Sequence, residues 1–444
     1  MSRQPESRRA RLRRWLRPGM GIKRWLLVVF IGQLVLALAG ALVIRLAFQQ
    51  VPENSVAGQL FNLVSLQFLP LWLRPIVVLG VGAAVFLIGL WKLMNVLLEP
   101  FPARTEPLVE LVYQKRSLAR GPRIVAIGGG TGLSTLLRGL KQVSSNITAV
   151  VTVADDGGSS GKLRQQLGIA PMGDIRMCIA ALADEESAMA RLLQYRFPDE
   201  DPDTHGLGGH AFGNLLIAAL SDIAGDFEEG VRESNRVLAV RGQVLPVSST
   251  PLTLHAELSD GSVLSGQSTI MRSRGLRRVW ITPTDAVAAE EAVAAIATAE
   301  LVILGPGSLY TSLLPSLLVP GIAAAVSRSP AKRIYVCNVA TQPGETEGYT
   351  LSEHLAALNA HGVGSLIDVV LANRNLSART PDAYRASPVR IDLSPTEGPP
   401  RLVLADVVDD DNAHRHDPKK LTDTIMRLHD ETAAVPIPAI VRSA

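Results

Sequence analysis

The stretch Ile124 to Leu140, "IVAIGGGTGLSTLLRGL", carries an apolar strand into four glycines and then into a helical pattern. Gly128, Gly129, Gly130 and Gly132 allow a tight turn and a close approach of backbone to a ligand, and the following helix offers unpaired N–H groups and the positive end of its dipole. That chemistry is anion binding. The spacing matches neither common phosphate loop: counted from Gly130 the last glycine of the dinucleotide fingerprint is Thr135, counted from Gly128 it is Leu133, and "GGSSGKL" lacks the P-loop spacing. Alone, the loop reads equally well as a turn that packs a helix against a strand.

A second cluster, "ADDGGSSGKLR", follows the next strand pattern. Asp155 and Asp156 fall where an acid meets a ribose hydroxyl in this topology, beside small residues, Gly158 and Ser159 among them, that can form an anion-binding nest. The alternative is a helix N-cap with surface aspartates. Asp174, in "PMGDIR", reads equally as a ligand group or a cap. "GPGSLYTS", Gly305 to Ser312, repeats the strand, glycine turn and helix on another strand, and two such turns would face each other across the carboxyl edge of one sheet. His205 and His210 flank "GLGG" without a third ligand to make metal geometry, and Asn214 opens an apolar helix where it could serve as a cap. No Ser-His-Asp or Cys-His relay can be picked out, so covalent catalysis has no support.

Those residues need a scaffold, and the pattern supplies one. Strands are expected at Ile124–Gly128, Ile147–Asp156, Leu301–Gly305, Arg333–Val339 and Ile367–Asn373, and helices between them, including Ser134–Lys141 and the "DAVAAEEAVAAIATAE" segment with Asp285 as its cap. The alternation predicts an α/β, Rossmann-like, doubly wound and mainly parallel sheet. Arg241 to Arg277 alternates polar and apolar residues around an Asp260–Gly261 turn, which predicts a small antiparallel insertion. The acidic run Asp406 to Asn412 reads as a solvated loop. Cys178 and Cys337 match no metal or redox spacing and read as buried packing in a reducing compartment.

The 444 residues exceed what one core organises, and at 47% hydrophobic with a mean hydropathy of +0.22 the chain is too apolar for a purely soluble protein. The excess sits in the first hundred residues. Trp25 to Ile44 holds no charge, and the apolar pattern resumes from Ile76, so two membrane-spanning helices are expected at about 25–47 and 75–97. Residues 1–24 form a basic N-terminus, 25–98 the anchor, 99–122 a proline-containing linker and 123–444 the α/β domain. The net charge of +3 hides nine Lys and Arg before Trp25, while Gln49 to Trp72 has none, so both termini are expected in the cytoplasm at the inner membrane. No nucleic-acid partner is expected.

Taken together, "GGGTGLSTLLRGLK", "TVADDGGSSGKLR", "GDIR", "HAFGNLLIAAL", "LGPGSLYTSLLP" and "YVCNVATQPGETEGY" resemble the bacterial gluconeogenesis-factor family over roughly Arg123 to Asn375. The resemblance implies binding of a UDP-sugar such as UDP-N-acetylglucosamine and a role in cell shape and peptidoglycan synthesis during gluconeogenic growth, with cell-wall synthesis proteins as partners and a homo-oligomeric state. More distantly the chain is similar to 2-phospho-lactate transferases, which move a phosphate-linked group from a nucleoside diphosphate donor with magnesium. Carried over by position, ligand contacts fall on Gly129, Gly130, Thr131, Gly132, Asp155, Asp156, Gly158, Ser159, Asp174, Asn214, Gly307, Ser308, Tyr310 and Asn338. If magnesium binds, Asp155 and Asp156 are its candidates; no cofactor is otherwise implied. Tyr310 is expected against the ligand, or packed under the turn. The departure from the family pattern is the pair of N-terminal spans.

Overall fold

A computed structural model describes residues 115–183, 188–199, 206–377, 384–394 and 398–433, the helix Leu73–Leu98 and isolated positions before it. Most of the first expected span, most of the linker and His205 lie outside the described residues. The chain divides into two units, Met1–Gln114 and Lys115–Ala444.

In the first unit, Leu73–Leu98 is one helix over the second expected span, and its side chains Ile76, Leu79, Val81, Val85, Leu87 and Ile88 are all exposed. Among the described residues no single helix is long and apolar enough to cross a membrane; the stretch Leu79–Ile88 qualifies only as a shorter apolar helix.

The second unit is built on seven strands: β1 (Ile124–Gly128), β2 (Ile147–Val151), β3 (Gln243–Pro246), β7 (Leu301–Leu304), β8 (Lys332–Val336), β9 (Val369–Asn373) and β10 (Arg401–Ala405). Their order is β10-β9-β8-β7-β1-β2-β3, and every pairing is parallel. β1, β2, β7 and β9 are buried along their whole length, as continuous apolar runs covered on both faces must be. The chain leaves β1 toward β2 and returns on the other side at β7, so the order reverses at the β1–β7 boundary. Crossovers running both ways from it place helices on both faces. The helix Gly130–Leu140 packs on Gly173–Leu182 and Pro418–Ala433, and Glu290–Thr298 packs on Pro320–Arg328. A separate antiparallel sheet, ordered β5-β4-β6, holds β4 (Thr253–Leu258), β5 (Val263–Ser265) and β6 (Leu276–Thr282), with Gly261 at φ +83° in the expected turn.

Several boundaries differ from expectation. The helix after β1 starts at Gly130 instead of Ser134, because the glycine loop itself forms the first turn. Gln243–Pro246 belongs to the main sheet and not to the insertion; four residues are too few to show a period. Asp285 caps nothing: the antiparallel bridge between Ser248 and Ala288, and the bond from Ala289 N–H to the Val247 carbonyl, hold that segment extended until the helix begins at Glu290.

Candidate functional site

The reversal of strand order at β1 and β7 opens a crevice at their carboxyl ends, the place where open α/β sheets take their ligands. A cavity of about 400 Å³ lies there. Its floor is backbone. Gly129 to Gly132 come from the turn after β1, and Gly307 and Ser308 from the turn after β7. The two turns touch: a Cβ on Gly132 would lie 2.8 Å from the nitrogen of Gly307 and from the carbonyl of Pro306. Gly129 occupies the N-cap of Gly130–Leu140 and offers no side-chain cap; the backbone of Gly130 bonds to Asp174, and the rest of that first turn keeps N–H groups that suit a ligand.

One side of the cavity is acidic. Asp155, at the end of β2, accepts the N–H of Gly157 at 2.9 Å, and burial raises its pKa. Asp174, in the first turn of Gly173–Leu182, is buried and its Oδ2 has no hydrogen-bond partner. Burial, reinforced by the nearby charge of Asp155, pushes its pKa up to about 7. Met172 holds the N-cap, which removes the capping alternative for Asp174.

The other side is built by residues far along the chain. Asn338 clamps Gly307, its Oδ1 accepting the N–H at 3.2 Å and its Nδ2 donating to the carbonyl at 2.9 Å. Gln342 Nε2 donates to Ser308 Oγ at 2.8 Å. Tyr384 and His414 stack with ring centroids 4.2 Å apart and 13° between their planes. Burial lowers the pKa of His414, with the adjacent Arg415 adding to it. His416 Nε2 faces the Cys337 carbonyl at 3.2 Å, so that nitrogen carries the proton, and burial pushes the ring pKa down to about 4. Arg415 is the only cationic side chain among the described lining residues.

Of the residues singled out in the sequence, nine line the cavity: Gly129, Gly130, Thr131, Gly132, Asp155, Asp174, Gly307, Ser308 and Asn338. The other five stand behind it. Asp156 accepts the backbone N–H of Ser268. Ser159 Oγ meets His210 Nδ1 at 3.2 Å and accepts Asn214 Nδ2 at 3.0 Å, while Asn214 Oδ1 accepts Arg176 Nε at 3.0 Å; Asn214 is the third residue of Phe212–Ala224 and not its cap. Gly158 opens the helix Gly158–Leu167. Tyr310 is turned into the core, its hydroxyl 3.1 Å from that of Tyr349, which is the packing alternative. Its backbone N–H and the Thr311 hydroxyl are both held by the buried carboxylate of Glu345, at 3.2 and 2.6 Å.

What the arrangement can do follows from this polarity. Backbone donors in the floor suit phosphate oxygens, and the two carboxylates suit sugar hydroxyls or a cation at the phosphates. Among the described residues no cluster of three or more His, Cys, Asp or Glu could hold a metal alone. Asp155 and Asp174, sharing one side of the cavity and both penalised by burial, fit a divalent cation whose other ligands come from water or phosphate; Asp156, already bonded to Ser268, does not complete that pair.

The comparisons with known proteins match this architecture. Residues 124–407 match the family 2-phospho-L-lactate transferase CofD. A relative from Nostoc sp. is 46% identical over 427 residues, 94% of this chain and 92% of its own. The gluconeogenesis factor of Bacillus subtilis is 45% identical over 321 residues, 70% of this chain and 99% of its own. A crystal structure of a protein from Bacillus halodurans superposes with a TM-score of 0.64 at 42% identity, covering 69% of this chain and all of that one. A match over more than half the sequence, and relatives covered almost end to end, establish that the chain belongs to the CofD family, beside members named gluconeogenesis factors.

Proposed function

We propose that the protein binds a nucleotide sugar of the UDP class, such as UDP-N-acetylglucosamine, in the crevice between β1 and β7, and that binding regulates cell shape and peptidoglycan synthesis during gluconeogenic growth. The observation that carries the binding step is the polarised cavity: a backbone floor with an uncapped helix N-terminus between two carboxylates and one arginine. The floor takes the diphosphate, Arg415 adds a charge-assisted bond to it, and Asp155 and Asp174 take sugar hydroxyls. The volume of about 400 Å³ falls within the range of small-molecule sites. Calorimetry with uridine nucleotide sugars is the direct test, and no heat with any of them would sink the reading. The physiological part is tested by cell shape on gluconeogenic carbon: a deletion strain rescued as well by a binding-dead variant as by the wild type contradicts it.

The protein acts at the inner face of the cell membrane in this proposal. The support is the uncovered apolar surface of Leu73–Leu98 and the charge pattern of the N-terminus. The Nostoc relative matches 94% of this chain and so shares part of its first hundred residues, whereas the B. subtilis factor matches 70% of it. Recovery of the full chain in the soluble fraction after cell lysis would contradict the anchor.

A second reading is favoured by the Asp155–Asp174 pair and the family's description. The chain would transfer a phosphate-linked group from a nucleoside diphosphate donor. A divalent cation held by Asp155 and Asp174 would neutralise the diphosphate; the chain's own residues would bind and orient donor and acceptor. That reading expects a magnesium-dependent product lost in Asp155→Asn, and intact donor after long incubation would count against it.

A further inference from the structure

Asp155 and Asp156 are neighbours with different partners. Asp155 lines the cavity, whereas Oδ1 of Asp156 accepts the backbone N–H of Ser268 at 2.7 Å. Ser268 lies in the first turn of the short helix Gln267–Ile270, whose N-cap is Gly266, a residue with no side chain to offer. A carboxylate from 112 positions away therefore does what a local cap would do: it satisfies an orphan N–H at the positive end of the turn. Gly266 is fitted to that arrangement. Its φ is +95°, and a Cβ on it would lie 2.2 Å from Oδ2 of Asp156.

The same short helix is also fastened to the opposite wall. Gln267, buried, donates from Nε2 to the Thr311 carbonyl at 3.0 Å, just past the second glycine turn. The carbonyls of Met271 and Ser273 press on the segment after β8, where a Cβ on Gly344 would meet them at 2.5 and 2.8 Å. The insertion thus spans the crevice from the end of β2 to the end of β7, and Gln267 and Met271 line the cavity beneath it. With Nε2 committed to Thr311, the orientation of the Gln267 amide is fixed and Oε1 remains as an acceptor.

We infer that Asp156 is a positioning residue that holds the insertion across the crevice, so that Gln267 presents a fixed amide acceptor to a hydroxyl or N–H on the sugar of the bound nucleotide. The ligand class rests on the nucleotide-sugar reading; the lock rests on geometry alone. Gln267 then selects a donor-bearing sugar over the bare nucleotide.

The test uses the full-length chain in mild detergent, with calorimetry on UDP-N-acetylglucosamine and UDP, and amide hydrogen exchange without ligand. Asp156→Ala should speed exchange at Ser268 by about tenfold while leaving Ile127 in β1 unchanged, and should weaken the nucleotide sugar about tenfold but UDP by less than about threefold. Asp156→Asn keeps an acceptor oxygen and should restore both properties to within about threefold. Gln267→Ala should match the binding loss, and the double variant should lose no more than either single one. The inference is overturned if Asp156→Asn binds as weakly as Asp156→Ala while Ser268 exchange stays slow, or if the two losses add. If the unaltered chain binds neither probe, the nucleotide-sugar reading fails, and Ser268 exchange still decides the lock.

Discussion

Asn338 grips Gly307 through both of its backbone polar groups, an amide from the end of one strand replacing what would otherwise be solvent on a turn that ends its neighbour. The N–H of Gly307 keeps its direction because Oδ1 accepts it, and the carbonyl cannot rotate away because Nδ2 donates to it. Asn338→Ala removes both bonds and should cost about 1–3 kcal/mol of stability, read from urea unfolding, together with roughly tenfold in nucleotide-sugar affinity. Unchanged affinity would show that this turn does not contact the ligand.

Gly132→Ala tests the contact between the two turns. The atoms that a new methyl would meet, at 2.8 Å, are backbone atoms of Pro306 and Gly307, which cannot turn aside as a side chain would. A loss of about 1–3 kcal/mol is expected in chemical denaturation, with binding lost in the fraction that still folds. A variant of normal stability would mean that the turns separate easily.

Asp174 sets a pH dependence whose sign is fixed. Its carboxyl ionises near 3.8 in the unfolded chain and near 7 in the fold, so the fold prefers the protonated form. The stability this contributes is present below about pH 4 and is lost as pH rises to about 7, a change on the order of 4 kcal/mol. Asp155, raised in the same direction, adds to it. Asp174→Asn should therefore gain stability over the unaltered chain at pH 8 and lose that advantage at pH 4, measured by Tm across the range. An identical profile for both proteins would refute the assignment.

Arg415→Gln removes the one cation among the described lining residues. Affinity for a nucleoside diphosphate sugar should fall about tenfold to a hundredfold, and the remaining binding should depend less on salt. Calorimetry at two ionic strengths reads both effects.

The parts of this molecule that show in its sequence are those whose function is local. The strand Ile124–Gly128 is observed at the expected residues, because a fully buried parallel strand is a continuous apolar run with a glycine stop. The paired glycine turns are visible for the same reason. Tyr384, His414, Arg415 and His416 are not, since they reach the cavity from more than 250 residues beyond the first turn and share no period with it. The division of labour between Asp155 and Asp156 is likewise invisible: two adjacent acids look equivalent until the insertion supplies the N–H that takes one of them. Strand β10 escapes because five residues, "RLVLA", enclosed by irregular chain carry too little pattern.

The two glycine turns meet backbone to backbone, and this has an evolutionary reading. A floor made of peptide groups suits phosphate through its N–H groups, so its chemistry persists as long as the glycines do, whatever the rim becomes. In the proposed reading, the rest of the ligand would be met by side chains on the insertion and the C-terminal segment, which can be exchanged one at a time without rebuilding the floor. One scaffold can then pass between holding a nucleotide and using it, by changes confined to the edge of the same cavity.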